Sequence, residues 1–272
     1  MKAAAYTLER PAALQAAALR LQQGGWGCKP VAGGQSLGAM LNLRLAQPDT
    51  LLDLDGLPEL RSASADEGSV GFGAMVTHAQ IEDGRVPDPS RGLMPHVARG
   101  IAYRAVRNRG TLGGSLCHAD PAADWVSTMP LLGATLVLAG PHGERRLPAA
   151  DFMLSAFETA LAEGELLVAV QVPQRPAAAR WGYRKCCRKT GEFAQALAAC
   201  LFDPADGTER VVLGALDGRP HVAEGPGLLA TLGTAARRSD WLHSLGLGLD
   251  DHRTALLGEM LRTALLDLET PR

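Results

Sequence analysis

The residues best placed to do chemistry lie in one stretch, Arg107-Asn108-Arg109-Gly110-Thr111-Leu112-Gly113-Gly114-Ser115-Leu116-Cys117-His118-Ala119-Asp120-Pro121-Ala122-Ala123-Asp124. Paired glycines let a backbone approach a bulky anion and aim successive N–H groups at it. Thr111 and Ser115 add hydroxyls at the edges of the same turn. Such a loop holds a phosphate or diphosphate with no cationic side chain touching it. An ordinary tight turn has a similar composition, but a loop of the same grammar, Ala32-Gly33-Gly34-Gln35-Ser36, stands almost eighty residues earlier. Neither loop ends in Gly-Lys-Ser/Thr, which excludes a nucleotide-triphosphatase P-loop. Two neutral loops suit a diphosphate that is kept rather than hydrolysed, as in a dinucleotide cofactor.

Other constellations carry less. Gly71-Phe72-Gly73 lacks the third glycine of a dinucleotide fingerprint. Cys117 beside His118 could be a nucleophile pair, but neighbours on a strand point to opposite faces. Asp120 and Asp124 are four apart and could share a helix face. As paired acid–base carboxylates they are less fitting than Asp120 as a cap for a helix at 122–132, just before Pro121. Asp124 could instead accept hydrogen bonds from ligand hydroxyls. The basic run Arg184-Lys185-Cys186-Cys187-Arg188-Lys189 reads as a solvated strand face, or as cations facing an anionic ring or a partner subunit. The five cysteines form no C-x-x-C, which argues against a metal or iron–sulfur site in this chain and for free buried thiols.

The elements that must position these residues follow from periodicity. Pro11 to Gln23 reads as a helix ended by Gly24-Gly25, and Trp26 to Val31 as a strand entering the first glycine loop. Leu37 to Arg44 reads as a helix opened by that loop, with its N-terminus facing whatever the loop holds. Leu51-Leu52-Asp53-Leu54 is a buried strand, and residues 57–75 are strands around the turn Ala65-Asp66-Glu67-Gly68. Thr77-His78-Ala79-Gln80 is a capping box, and a longer helix is expected over about 91–104. A helix at 123–132, a strand at 134–139, a turn at Gly140-Pro141-His142-Gly143 and a strand at 165–173 complete the first part. Pro173 and Pro176 mark a domain boundary, giving domains 1–175 and 176–272, the first divided into sub-domains of about 1–55 and 56–175. Beyond it three strands, at about 180–188, 193–202 and 209–216, precede two helical segments, the last spanning about 251–267. Runs of strands followed by helices point to α+β rather than a doubly wound sheet.

Bulk properties agree with a folded protein of small net charge. The 272 residues are 46% hydrophobic and 21% charged with a net charge of −2, so nothing marks the whole chain as a polyanion binder. Aromatics are only 4%, so the core must be built from Ala, Leu and Val. The 31 glycines cluster in loops, which favours backbone-lined ligand sites over disorder. The N-terminus shows no signal-like apolar region, and no segment approaches the ~18 apolar residues of a membrane span, so a cytoplasmic location is expected.

Taken together, the two loops and their flanks resemble the FAD-binding medium subunit of molybdenum hydroxylases, the carbon monoxide dehydrogenase/xanthine dehydrogenase family. The matching residues are Ala32 to Leu37, Asn42 to Ala46, Leu51 to Leu54, Arg107 to Ser115, Cys117 to Asp124, Arg188 to Ala194 and His252 to Leu256. The resemblance implies an α+β fold: a two-part FAD-binding domain of the vanillyl-alcohol-oxidase (PCMH) type, then an α+β C-terminal domain with a small antiparallel sheet and helices. It implies that Lys29, Pro30 and Val31 line the cofactor. It also implies that Ala32, Gly33, Gly34, Gln35 and Ser36, with Gly110, Thr111, Leu112, Gly113, Gly114 and Ser115, clasp the FAD diphosphate. Asp124 matches the residue that binds the ribityl chain, Lys185 the lysine near the flavin pyrimidine, and Phe193 the aromatic beside the isoalloxazine. Ile101 and Leu167 are implied as apolar contacts.

This chain departs from the family at Glu192, where an aspartate is usual, and at Phe193, which lacks the hydroxyl of the tyrosine in some members. It has no cysteine-bearing insertion of the kind that carries an extra cluster in hydroxybenzoyl-CoA reductase relatives. The resemblance implies non-covalent FAD in an electron-transfer subunit with no catalytic acid or base of its own. A large molybdenum–pterin subunit and a small subunit with two-iron two-sulfur clusters would be its partners, in a dimer of heterotrimers. Electrons would pass to a quinone, NAD, a cytochrome or oxygen. The rival readings are a stand-alone flavin oxidase or reductase of the same fold and a scaffold subunit that has lost its flavin.

Overall fold

A computed structural model describes residues 2–269. The first unit contains β1 (Thr7–Glu9), α1 (Leu14–Gly24), β2 (Cys28–Val31), α2 (Leu37–Asn42) and β3 (Thr50–Asp53), its strands parallel in the order β1-β3-β2. Leu14, Ala17, Ala18 and Leu21 repeat at helical spacing, and the last three are buried against the sheet. The helix starts at Leu14 rather than Pro11, because Ala13 is extended and offers no side-chain cap. It stops where Gly25 turns to φ +47, a conformation that a Cβ disfavours.

The second unit runs through β4 (Ala63–Asp66), β5 (Ser69–Gly73), α3 (His78–Glu82), α4 (Leu93–Arg99), α5 (Arg104–Arg107), α6 (Leu112–His118) and α7 (Asp124–Leu132). It continues with β6 (Thr135–Gly140), β7 (Gly143–Pro148), the β8 (Met153–Ser155) and β9 (Glu158–Thr159) pair, and β10 (Leu166–Pro173). Five of these strands form an antiparallel sheet in the order β4-β5-β10-β6-β7. The single helix expected over 91–104 is two short ones. Gly100 closes α4, Ala102 adopts φ 44, and Ile101 bridges to Gly191 instead of continuing the helix. Arg107 then fixes the break, donating to the carbonyls of Ile101 and Ala102 at 2.9 Å each.

The third unit is the antiparallel sheet β11 (Arg180–Cys186), β12 (Ala196–Asp203), β13 (Thr208–Gly214) and β14 (His221–Glu224), followed by α8 (Leu228–Thr231), α9 (Ala235–Ser244) and α10 (Asp251–Glu269). The four-residue β14 and the third helix were not expected from the sequence. His-Val-Ala-Glu has too little period to announce a strand, and only the β13 edge, paired from Arg210 to Leu213, recruits it. Strand β12 is buried on both faces. Leu197, Ala199 and Leu201 enter the main core, whereas Ala196, Ala198 and Cys200 pack under α9 and α10.

Helix α7 is the hub. All nine of its residues are buried, between the five-stranded sheet and the β12–β13 face. Fully burying Trp125, Met129, Leu131 and Leu132 stabilises by roughly 1.5–3 kcal/mol each. Its C-terminal carbonyls are met by two guanidiniums: Arg175 donates to Leu132 O at 2.6 Å and Arg210 to Leu131 O at 2.8 Å. Arg175 also pairs with buried Asp203 at 3.2 Å, so one cation joins α7 to the third unit. The main core therefore runs without a break from Val70 to Ala215.

Candidate functional site: two glycine loops and a bridged aspartate

The two glycine loops meet. A Cβ on Gly33 would run into the carbonyl oxygen of Arg109 and lie 2.9 Å from Gly110 Cα, and one on Gly114 would sit 3.4 Å from Ala32 Cβ. Only hydrogen on Gly33 permits this approach. The first loop joins β2 to α2, with Gly34 at φ +71 and Gln35 folding its amide back onto Gly33 O at 3.1 Å. Among the described residues, the N–H groups of Gly33, Gly34, Gln35 and Ser36 donate to no protein acceptor. A Cβ at Gly38, in the first turn of α2, would meet nothing within 4 Å.

The second motif is not an open loop but the first turn of α6. Gly110 N–H donates to Val106 O, Leu112 N–H to Val76 O, Gly113 N–H to Ala74 O and Ser115 N–H to Thr111 O, at 2.7–3.0 Å. Gly114 N–H is taken by the Thr111 hydroxyl at 3.0 Å, so Thr111 is the helix N-cap and an acceptor here. Of this run only the Thr111 N–H donates to nothing among the described residues. The expectation that both loops offer rows of backbone donors is thus corrected. Gly113 is required by close packing, since a Cβ would lie 2.5 Å from that of Ala74.

His78 lies beneath this turn. Trp125 Nε1 donates to its Nδ1 at 3.1 Å, so the ring proton is on Nε2, beside the Gly110 backbone. Burial, with a smaller push from the Arg107 charge, lowers its pKa to about 4, so the imidazole is neutral. Arg107 itself pairs with Glu82 at 2.7 Å. The capping box expected at Thr77 is present, with Thr77 N–H donating to Gln80 Oε1 at 2.9 Å.

Asp124 opens α7 and is buried. Its Oδ1 accepts from Tyr183 Oη at 2.6 Å and from Lys185 Nζ at 2.7 Å, and Lys185 also donates to Gly100 O at 3.0 Å. The aspartate and the lysine that the resemblance assigned to different parts of the cofactor are therefore one ion pair. Burial first, then the Asp124 charge, push the Tyr183 phenol well above its usual range, so it stays an O–H donor. Sequence reasoning missed Tyr183. The signal was there: Trp181, Tyr183 and Lys185 alternate along β11 and share the face toward α4 and α7. On the opposite face Arg184 pairs with Asp267 at 2.6 Å and Gly182 abuts the Ala264 carbonyl, while Arg188, beyond the strand, pairs with Glu192 at 3.3 Å.

The remaining assigned residues divide. Ile101 lies beside Lys185 through the Gly100 contact and the Gly191 bridge, and Phe193 follows that bridge with its ring exposed. Lys29, Pro30 and Val31 form β2 itself, with Val31 packed near Leu41 and Leu51. Leu167 is 3% exposed inside the main core, which leaves it almost no surface for a ligand.

The acid–base readings fall away. Cys117 and His118 are on a helix rather than a strand; burial pushes the Cys117 thiol up to about 12, and His118 packs on Phe157. Asp120 does not cap α7, which begins at Asp124 after Ala123. Its Oδ1 accepts from Ala122 N–H at 2.9 Å in a local turn, because Ala119 has already turned left-handed at φ 50. Asp120 and Asp124 thus share no helix face. Two of the five free cysteines, Cys28 and Cys200, are buried, and Cys117, Cys186 and Cys187 are partly so.

The chain thus presents an N–H row that meets the second motif and, at the start of α7, a buried carboxylate bridged by Tyr183 and Lys185. Comparisons with known proteins give the family. A family described as the FAD binding domain in molybdopterin dehydrogenase matches residues 4–175, and the chain belongs to this family of FAD-binding medium subunits of molybdenum hydroxylases. It is similar to the carbon monoxide dehydrogenase medium chain of Hydrogenophaga pseudoflava, at 36% identity over 73% of this chain and 69% of that one. The corresponding medium chain of Afipia carboxidovorans is 31% identical over 96% of this chain and 95% of its own length. Among solved structures, carbon monoxide dehydrogenase from H. pseudoflava superposes with a TM-score of 0.87 at 30% identity, covering 99% of both chains. Quinoline 2-oxidoreductase from Pseudomonas putida 86 superposes with a TM-score of 0.83 at 32% identity, covering 98% of both. The protein is accordingly an oxidoreductase subunit, its cofactor is FAD, and its fold is the α+β one expected. No helix among the described residues is long and apolar enough to cross a membrane.

Proposed function

We propose that this chain is the FAD-carrying electron-transfer subunit of a molybdenum hydroxylase, taking electrons from the iron–sulfur clusters of a partner and passing them to an external acceptor. The observation that carries the reading is the undonated row of N–H groups at Gly33–Ser36, held against the second motif, in a chain of this family. Those four groups, the Thr111 N–H and the Ser115 hydroxyl would bind the FAD diphosphate, with Ala32 at the loop contact. Gly110, Leu112, Gly113 and Gly114 supply the wall behind it. Asp124 would take a ribityl hydroxyl, Lys185 would lie near the pyrimidine, and Ile101 and Phe193 near the isoalloxazine, with Lys29, Pro30 and Val31 on the approach to the diphosphate. When bound, FAD supplies the redox chemistry, and the protein orients it and tunes its potential.

The chain divides into an FAD-binding domain at 1–175, with sub-domains of about 1–55 and 56–175, and a C-terminal domain at 176–272. The end of the family match at residue 175 and the change of sheet between β10 and β11 support that division. A large molybdenum–pterin subunit and a small iron–sulfur subunit complete a heterotrimer, two of which pair, in the cytoplasm. The acceptor is a quinone, NAD, a cytochrome or oxygen. Anaerobic rapid mixing tests the reading. Flavin absorbance should bleach when the loaded chain meets its chemically reduced iron–sulfur partner. Turnover of a substrate by the isolated chain, without such transfer, would instead make it a stand-alone flavin enzyme.

A further inference from the structure

We propose that Tyr183 is the positioning residue for the cofactor anchor, holding the Asp124 carboxylate so that its second oxygen faces the ligand. The inference rests on the reading of Asp124 as a ligand of FAD. A buried carboxylate is costly unless paired, and here both donors end on Oδ1 while Oδ2 receives neither. Two donors on one oxygen restrict rotation about the Asp124 side chain and orient the other oxygen.

The donors are not equivalent. Lys185 ends a flexible stem and divides its ammonium between Asp124 and Gly100 O, so it supplies charge with little direction. Tyr183 has no such freedom. It is 5% exposed, packs in the main core edge-on to His96 with ring centroids 6.1 Å apart, and its phenol reaches Asp124 at 2.6 Å. The strand that carries it is pinned on both sides. Trp181 Nε1 donates to Arg91 O at 2.9 Å, and every residue of β11 pairs with β12 from Arg180↔Phe202 to Cys186↔Ala196. Through Tyr183 the third unit therefore reaches across the molecule to set a group of the flavin site. Burial keeps the phenol protonated, so this donor is permanent.

The test is a titration of full-length apoprotein with FAD, followed by flavin fluorescence, for wild type, Tyr183→Phe, Asp124→Ala and the double variant. Tyr183→Phe should weaken FAD binding about tenfold, the loss expected for a hydrogen bond to a charged group. It should add nothing in the Asp124→Ala background, where no acceptor is left for the phenol to orient. An unchanged dissociation constant for Tyr183→Phe alongside a weakened Asp124→Ala would overturn the positioning role and leave Asp124 as a ligand. A tenfold loss that persists in the double variant would overturn it as well. An unchanged Asp124→Ala would instead remove the reading of Asp124 on which the inference stands. Should Tyr183→Phe fail to fold, tyrosine 13Cζ labelling of the wild-type chain decides, since only Tyr6 and Tyr103 compete with Tyr183. Its resonance should move on FAD addition, and a stationary one overturns the role.

Discussion

Among the described residues the first glycine loop gives its N–H groups to no acceptor, whereas the second has spent nearly all of its own on Ala74 and Val76 just after β5, on α5 and on the cap of α6. The two motifs look alike in sequence and touch in space, yet their glycines answer different demands. In the second, Gly113 and Gly110 exist because Ala74 and His78 press on the backbone. In the first, Gly34 exists because the chain turns left-handed there, and Gly33 because the second motif presses on it. The first loop is thus an offered surface, and the second is the rigid wall that shapes it. Substitutions should separate the two roles.

The largest effect is expected at the wall. Gly113→Val puts a branched side chain 2.5 Å from Ala74 Cβ and 2.8 Å from the Ala74 backbone, neither of which has room to retreat. Overpacking alone costs about 1–3 kcal/mol, and parting α6 from Ala74 adds the hydrogen bond from Gly113 to Ala74 O. The apoprotein Tm should fall by about 10 °C or the chain should fail to accumulate. A variant that melts like wild type while losing FAD would show that Gly113 serves the ligand rather than the fold.

What the sequence disclosed follows the same division. Periodicity located α1, the Thr77 capping box, the hairpin at Gly140–Gly143 and the strands β10 to β13, because each depends on neighbours within a few residues. The glycine motifs were legible as special backbone, but a Gly-Gly pair is written identically whether its N–H groups face a ligand or a strand. Only the register of residues 74–78 against 110–113 decides that. Asp124, Tyr183 and Lys185 were spread over some sixty residues, and their convergence on one oxygen depends on how β11 lies against α7. The break at Ile101 was hidden for a similar reason, since its cause is a bridge to Gly191.

Acid should weaken the wall before the offered loop. His78 titrates near 6.5 when unfolded and near 4 when buried under Gly110. Between those values the unfolded chain binds a proton that the folded chain refuses, so stability falls as pH drops from about 6.5 to about 4 and is unaffected above that window. The full window is worth roughly 3 kcal/mol. His78→Asn removes the titration, so the apoprotein Tm measured from pH 7.5 to pH 5 should decline less steeply in the variant than in wild type. Equal slopes would mean that the imidazole is not held neutral beneath the second motif.

The smallest change to the fold is expected at the first loop, and there the ligand should register it more than the melt. Gly33→Ala drives a methyl group into the Arg109 carbonyl, and relief comes from backing the first loop away from the second, because the wall is the stiffer partner. The strand β2 and helix α2 on either side can absorb that shift, so the apoprotein should lose only about 1–2 kcal/mol. The N–H row, however, loses its alignment with Thr111, and FAD affinity should fall by about ten- to a hundredfold, as when several hydrogen bonds to a charged group are misplaced together. Gly34→Ala is the internal comparison. Its methyl would meet only Val31 Cγ2 at 3.7 Å, so the cost is the left-handed backbone alone, about 1 kcal/mol, with the loops still in contact. If flavin titrations give the two variants the same affinity, the contact between the loops is not what shapes the site, and the second motif has to be binding the diphosphate on its own account.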